Sequence, residues 1–250
     1  MPVEQSRDPE QFTAFELSGW ETNIGGYTAA FGAVARQTVG AMLNAAGVTR
    51  GMRVLDVCCG PGMLGAGALE RGAEAIGLDF SLEAVELARN LVPNGHFERG
   101  DAQALPYPPE SFDAVLCGYG LMHLPEPAAA LREMLRVLRP GGRAAVSVWD
   151  AAGFGFALVY EAVRARGSME IGLPHGPDFF QFGSPERMLV ALEETGFPTP
   201  KRILSIRTGT WRMRTATLNL FLRAPSVRAR SLLLNQVLRR TESALTSQII

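Results

Sequence analysis

The stretch Arg53-Val54-Leu55-Asp56-Val57-Cys58-Cys59-Gly60-Pro61-Gly62 decides the fold of this chain. Val54 to Val57 is an apolar run of strand length that breaks into a loop with glycines at 60, 62 and 65. Beyond it, Leu64, Ala68 and Leu69 fall on one helical face. Strand, glycine turn and helix together bring backbone N–H groups and a helix N-terminus up to a nucleotide-like ligand. A second apolar run ends in Gly77-Leu78-Asp79, 23 residues after Asp56. A carboxylate at that distance is placed to accept hydrogen bonds from ribose hydroxyls. The pattern predicts a ligand that carries adenosine.

Outward from this point the elements alternate. Strand 53–58 leads to helix 62–71, strand 74–79 to helix 82–91, and strand 95–100 to the loop Pro106-Tyr107-Pro108-Pro109. Strand 112–117 precedes helix 126–138, and Gly141-Gly142 turns into strand 143–149. Strands alternating with helices of this length predict an α/β fold: a largely parallel twisted sheet with helices on both faces and right-handed crossovers. Before the first strand, residues 10–46 are helical in pattern, with Phe12, Phe15, Trp20 and Tyr27 followed by a small-residue helix from about Thr28. After 150 the chain is aromatic-rich and broken by Gly and Pro, with Phe154, Phe156, Tyr160, Phe179, Phe180 and Phe182. Ser184-Pro185 is a helix start for a segment ending near Thr195-Gly196. One further strand is expected over 201–209, then helix over 213–245 and on to the terminus.

With 250 residues, 47% hydrophobic and 20% charged, the chain has the makings of one large α/β unit with a sizeable core. The three cysteines, Cys58, Cys59 and Cys117, form no disulfide framework and no zinc spacing, so no metal is expected. No signal peptide or apolar run of about 18 residues is present, so the expectation is a cytoplasmic protein with no membrane partner. The net charge of −1 hides an asymmetry. Residues 1–200 carry 14 Arg against 24 Asp and Glu, a balance of −10, and residues 201–250 carry 10 Lys and Arg against one Glu, a balance of +9. The basic residues are spread singly or in pairs through apolar sequence, which fits a tail folded back on an acidic body better than a nucleic-acid arm.

Gly60-Pro61-Gly62-Met63-Leu64-Gly65 satisfies G-x-G-x-x-G, and a nicotinamide dehydrogenase is the first reading of that motif. Asp56, immediately before the loop, is awkward beside a pyrophosphate, and no Arg or Lys in the loop offsets it. A cofactor without phosphate and with a positive centre fits better.

S-adenosylmethionine has that profile, and the motifs resemble those of the class I S-adenosylmethionine-dependent methyltransferases, of the small-molecule type. Val54 to Gly62 is similar to their first motif and Gly77-Leu78-Asp79-Phe80-Ser81 to their second. Gly100-Asp101-Ala102-Gln103-Ala104-Leu105-Pro106, with Ser111-Phe112-Asp113, resembles their third. Arg136-Val137-Leu138-Arg139-Pro140-Gly141-Gly142 resembles the turn before their fifth strand. The resemblance covers residues 53–149 in order. It implies a Rossmann-like class I methyltransferase fold with an N-terminal helical lid (1–50), an S-adenosylmethionine-binding core (51–150), and a substrate cap with the remainder of the sheet and C-terminal helices (151–250).

The resemblance also implies roles. The backbone of Cys58, Cys59, Gly60 and Gly62 lines the methionine moiety, with Asp56 near its ammonium. Asp79 takes both ribose hydroxyls, Phe80 lies against the adenine, and Asp101, Ala102 and Gln103 hold the adenine edge. Cys117 and Gly118 approach the sulfonium, and Tyr27 reaches the cofactor from the lid. Two departures stand out. Cys58 occupies a position that is usually glycine, which costs roughly a kcal/mol or more if φ is positive there and nothing if it is negative. The family sheet also ends in a hairpin of two strands, whereas only 201–209 offers one here.

Methyl transfer is an in-line displacement that proximity and orientation can drive, so acid–base groups matter only for an acceptor that must lose a proton. His123 and His175 are the candidates for that work. Trp20, Tyr119, Phe179 and Phe180 are candidate walls for an apolar or aromatic small-molecule acceptor in secondary or quinone-like metabolism. A protein that binds the cofactor without methylating, an RNA methyltransferase using the basic tail, and a homodimer remain open alternatives.

Overall fold

The computed structural model describes residues 8–149, 163, 165–167, 172–198, 204–208 and 245–249. Helix α1 spans Pro9–Ala45, and its length of 37 residues corresponds to about 55 Å at 1.5 Å per residue. Asp8 caps it by accepting from the N–H groups of Glu10 and Gln11, with proline at the first position. The helix runs unbroken through Gly25-Gly26, where the sequence pattern suggests two segments. Its buried side chains Phe12, Ile24, Phe31, Val34, Ala35 and Thr38 hold it against the rest of the chain on either side of those glycines.

Strands β1 (Arg53–Val57), β2 (Glu74–Asp79), β3 (His96–Arg99), β4 (Phe112–Gly118) and β5 (Leu138–Trp149) alternate with helices α2 (Met63–Glu70), α3 (Leu82–Leu91) and α4 (Pro127–Val137). Helix α5 (Pro185–Glu194) starts at Ser184, whose hydroxyl accepts from Arg187 N–H. Strands β6 (Leu204–Thr208) and β7 (Leu245–Ile249) complete a seven-stranded sheet of order β3-β2-β1-β4-β5-β7-β6. The first five strands are parallel, and β7 runs antiparallel to both β5 and β6. β1 and β4 are buried on both faces, as central parallel strands require. Leu55, Val57, Val115 and Cys117 join one core with α4 and α5, while Val54, Ala114 and Leu116 join a second with α1 and α2.

Ser111-Phe112-Asp113 and the Arg139-Pro140-Gly141-Gly142 turn have a structural role at the amino ends of the strands. Asp113 accepts from Arg53 N at 2.7 Å and from Arg139 Nη1 at 2.6 Å. The β4–β5 register jumps from Phe112↔Leu138 to Ala114↔Arg143, so the turn bulges outward, with Gly141 at φ 81°.

The C-terminal expectation needs correction. The final residues form strand β7, inserted between β5 and β6, so the terminal hairpin is present and the chain does not end in helix. All five residues pair with β6 and three of them, Ser247 to Ile249, with β5 as well, so the strand takes its conformation from long-range partners that no local pattern announces. The helix expected over 213–245 and most of the basic tail lie outside the described residues, as do Phe154, Phe156 and Tyr160. No helix among the described residues is long and apolar enough to cross a membrane.

Candidate functional site

The carboxyl ends of β1, β2 and β4, the segment after β3 and one side of α1 enclose a cavity of about 380 Å³. Its lining includes Asp56 and Cys58 to Pro61, Leu78 to Phe80, Arg99 to Gln103, Gly118 to Gly120, and His123 to Pro125. Ligands of parallel α/β sheets bind at this edge. Across the top, Thr13, Leu17, Trp20, Ile24 and Tyr27 of α1 recur every three or four residues and face it as one stripe.

Two buried carboxylates shape one end. Asp79 Oδ2 accepts from Gly60 N at 2.9 Å and Oδ1 from Ser81 N at 3.0 Å. An ionised carboxylate offers about four lone-pair sites, so Asp79 keeps acceptor capacity for ligand hydroxyls. Asp56 Oδ2 accepts from Gly65 N at 3.0 Å, and buried Oδ1 has no partner among the described residues. Burial pushes the Asp56 carboxyl well above the usual range, the Gly65 N–H draws it back, and the charge of Asp79 pushes it up again. Asp79 is raised by burial too, against the pull of the Ser81 and Gly60 N–H groups and the His123 ring. Both carboxylates favour a ligand that brings hydroxyl donors or positive charge.

The glycines of the loop divide into two kinds. At Gly60, with φ 51°, an added Cβ would meet nothing within 4 Å, so its open side faces the cavity it lines. Gly62 lies outside the lining, and its open side is filled by protein. An added Cβ there would stand 2.9 Å from the Phe97 ring. The same ring would lie 3.4 Å from a Cβ on Gly65, 2.4 Å from one on Gly77 and 2.5 Å from one on Gly95. Phe97 is therefore seated in a nest of glycines beneath the ligand loop, and Gly62, at φ 78°, is left without a side chain both by its backbone and by this ring.

Cys58 adopts φ 55° and Tyr119 φ 58°, both left-handed, at the ends of β1 and β4. Residues held in that region without being glycine store strain, and they concentrate at functional sites. The Cys58 side chain packs toward Cys117 and Gly120: a Cβ on Gly120 would lie 2.5 Å from Cys58 Cβ and 2.9 Å from both thiols. The hydrogen bond with Cys117 raises the Cys58 thiol first and burial adds to it, so Cys58 is a neutral thiol. Because of the positive φ, Cys58→Gly is expected to be more stable than Cys58→Ala by roughly 1 kcal/mol. Urea denaturation of the two variants measures this, and equal or reversed stabilities would rule out strain at this position.

The other end is roofed by a polar and aromatic group. His123 follows β4 in a short 3-10 turn, and its Nδ1 lies 2.9 Å from Glu16 Oε2 of α1. Trp20 Nε1 donates to the same oxygen at 3.2 Å, and its ring meets His123 edge-on with centroids 5.0 Å apart. Phe179 meets the far side of His123 edge-on at 5.8 Å and packs against Phe180. Phe12 at the start of α1 lies where a side chain on Gly176 would be.

Of the residues singled out in the sequence, Tyr27, Asp56, Cys58, Cys59, Gly60, Asp79, Phe80, Asp101, Ala102, Gln103, Gly118, Trp20, Tyr119 and His123 all line this one cavity. Gly62, Cys117, Phe179, Phe180 and His175 do not. Cys117 points into the core below the sheet end. Phe179 and Phe180 stand behind His123, and His175 is exposed on the segment 172–183. Glu16, Arg99 and Gly120 belong to the site without having been singled out. Gly120, two residues past the end of β4, is the one of the three with a local signal, a glycine in the turn that leaves the strand.

Residues 55–146 match the family described as Methyltransferase domain. The chain is 35% identical over 179 residues to a demethylmenaquinone methyltransferase of Deinococcus radiodurans, covering 64% of this chain and 73% of that one. It is 41% identical over 126 residues to the enzyme of the same name from Renibacterium salmoninarum, covering 50% and 53%. The chain spans about half the length of most of the curated relatives it matches. Among solved structures, a chain from the complex between the Haloferax volcanii Trm112 methyltransferase activator and a methyltransferase superposes with a TM-score of 0.62 at 22% identity, covering 94% and 96%. A methyltransferase from an antibiotic biosynthesis pathway of Anabaena variabilis superposes with a TM-score of 0.58 at 16% identity, covering 85% and 95%. Both likenesses concern the fold.

Proposed function

This chain belongs to the class I S-adenosylmethionine-dependent methyltransferases, and from that premise we propose that it methylates an apolar, aromatic small molecule bound beneath α1. The observation that carries this reading is the sign and shape of the cavity. Asp56, Asp79 and Asp101 line it against one guanidinium, Arg99, and the roof is built from Trp20, Tyr27, Leu17 and Ile24. Such a chamber suits a cationic cofactor and an acceptor without negative charge. The demethylmenaquinone methyltransferases among its relatives support a quinone-like or phenolic ring as the acceptor.

The residues fit S-adenosylmethionine. Asp79 keeps acceptor capacity for the ribose hydroxyls, and Asp56 Oδ1 is an unsatisfied acceptor for the ammonium, directly or through water. The bare face of Gly60 admits the methionine arm, Phe80 lies beside the adenine, and Asp101 with the Ala102-Gln103 backbone takes the adenine edge. When bound, the cofactor supplies a methyl group on a positively charged sulfur. The chain's own part is to align that methyl with the acceptor between Gly118-Tyr119 and α1, and to exclude water from the contact. In this reading α1 is the lid, and the segment 172–183 meets it where Gly176 faces Phe12 while Phe179 packs on His123.

Calorimetric titration with S-adenosylmethionine, followed by transfer of a labelled methyl to phenols, hydroquinones, carboxylic acids and RNA, tests the proposal. Binding is expected, with transfer confined to the aromatic small molecules. Asp79→Ala is expected to weaken cofactor binding at least tenfold, since it removes the acceptor of two hydroxyls and the partner of Gly60 N–H. Unchanged affinity would overturn the site assignment, and transfer to RNA alone would overturn the acceptor class.

A further inference from the structure

Resting on the reading of the cavity as a methyl-transfer site, we infer that Glu16 and His123 form a general-base dyad whose acceptor is an aromatic hydroxyl. Glu16 is 107 residues from His123 in sequence and reaches it only because α1 crosses the cavity. The contact is built for an ionised carboxylate. One oxygen, Oε2, faces the His123 Nδ1 and the Trp20 N–H, and both side chains are largely enclosed, 23% exposed for His123 and 17% for Glu16. A carboxylate at Nδ1 fixes the ring as the tautomer with its proton on that nitrogen and leaves the Nε2 lone pair for whatever occupies the cavity. Trp20 and Phe179 meet the imidazole edge-on from two directions and restrict its rotation. A histidine that served only to pack would not need a partly enclosed carboxylate brought from another element to orient it.

The chemistry follows from the charges around the ring. Glu16 on α1 touches the ring, and Asp56 at β1, Asp79 at the end of β2 and Asp101 after β3 are the acidic groups lining this space, with Arg99, Cys58, Cys59, Tyr27 and Tyr119 the other titratable ones. Glu16 contacts the ring at Nδ1 and the ring's charge acts on Asp79, so a proton arriving at Nε2 is met by two carboxyl groups. An acceptor hydroxyl therefore gives its proton to Nε2 as its O–H bond breaks, and the electron pair stays on oxygen. That oxygen forms the bond to the methyl carbon while the carbon–sulfur bond breaks with its pair going to sulfur. The imidazolium afterwards releases the proton to water. His123 is the catalytic residue in this scheme and Glu16 a positioning residue.

Three variants and two acceptors test it. His123→Gln is expected to lower kcat about 100-fold on a weakly acidic phenol. On a nitrophenol already ionised at the assay pH it should change kcat by less than threefold. Glu16→Gln keeps the shape and an acceptor for the Nδ1 proton but removes the charge. It should lower kcat on the weak phenol about tenfold, move the acid limb of kcat/KM to lower pH, and leave KM for the cofactor within twofold. Glu16→Ala, which frees α1 as well, should also raise that KM. Without turnover, long-range proton–nitrogen NMR of the ring at pH 8 should show the proton on Nδ1.

Equal losses on both phenols, an unmoved pH profile in Glu16→Gln, or the proton on Nε2 would each overturn the dyad. Wild-type transfer to aromatic amines and never to hydroxyls would overturn it while leaving methyl transfer standing. Cofactor binding with no transfer to any acceptor would instead overturn the function on which the dyad rests.

Discussion

Replacing Phe97 by alanine is expected to lower stability by about 3–5 kcal/mol, the range for emptying a fully packed aromatic site. The ring is 1% exposed and packs with Cys59, Val85 and Ala88. The backbone at this position is held independently, because Arg89 Nε and Nη2 both donate to Phe97 O, at 3.0 and 2.7 Å. Strand β3 therefore stays in place while its side chain is lost, and the void opens against Gly62, Gly65, Gly77 and Gly95. Gly62 and Gly65 continue the loop that carries Gly60, so collapse of that loop into the void also draws Gly60 N–H away from Asp79. Urea denaturation and a cofactor titration measure the two effects together, and loss of stability without loss of affinity would show that the loop does not lean on the ring. Gly77→Ala provides the cross-check, since its Cβ would stand 2.4 Å from Phe97 Cδ1 in the wild type. That substitution should be costly alone and much less so in the Phe97→Ala background.

The same residue marks where the sequence ceases to be legible. The alternation of β1 to β5 with α2 to α4 was readable to within about two residues at most ends, with β5 beginning five residues early. Long apolar runs, Ser81 and Ser184 as caps, and glycines after the helices are all local signals. The glycine loop was readable as a ligand cradle, and the lining by Asp56, Gly60 and Asp79 agrees with that. What spacing could not reveal is that Gly62 answers to an aromatic side chain more than 30 positions later, on a four-residue strand with one buried position. Glu16 was invisible for the same reason: a lone glutamate on an amphipathic helix looks like any solvated one until the helix is laid across β4. Strand β7 is the extreme case, five residues whose only instruction is the pair of strands on either side.

Asp56→Asn is expected to act in opposite directions on stability and binding. In the unliganded protein the Asp56 carboxyl is 1% exposed, one of its oxygens has no partner among the described residues, and burial raises its affinity for a proton. A carboxyl whose folded value lies above its ordinary 3.8 binds protons more tightly folded than unfolded. Stability from this group is thus full in acid and is lost as pH rises from about 4 through the folded value. Asparagine keeps the shape and an acceptor for Gly65 N–H with no charge to bury, so the variant should gain about 1 kcal/mol at pH 8. Well below pH 3.8 the difference should vanish, because the aspartic acid is then protonated in both states. The binding effect runs the other way. A cation brought against Asp56 favours the ionised form, and removing a buried charge partner costs at least 2 kcal/mol. S-adenosylmethionine affinity should therefore fall about thirtyfold or more at pH 8. S-adenosylhomocysteine separates the two charges of the ligand, since it keeps the ammonium and lacks the sulfonium. Equal losses for both ligands would assign Asp56 to the ammonium, a loss confined to S-adenosylmethionine would assign it to the sulfonium, and no loss for either would remove Asp56 from the cofactor site.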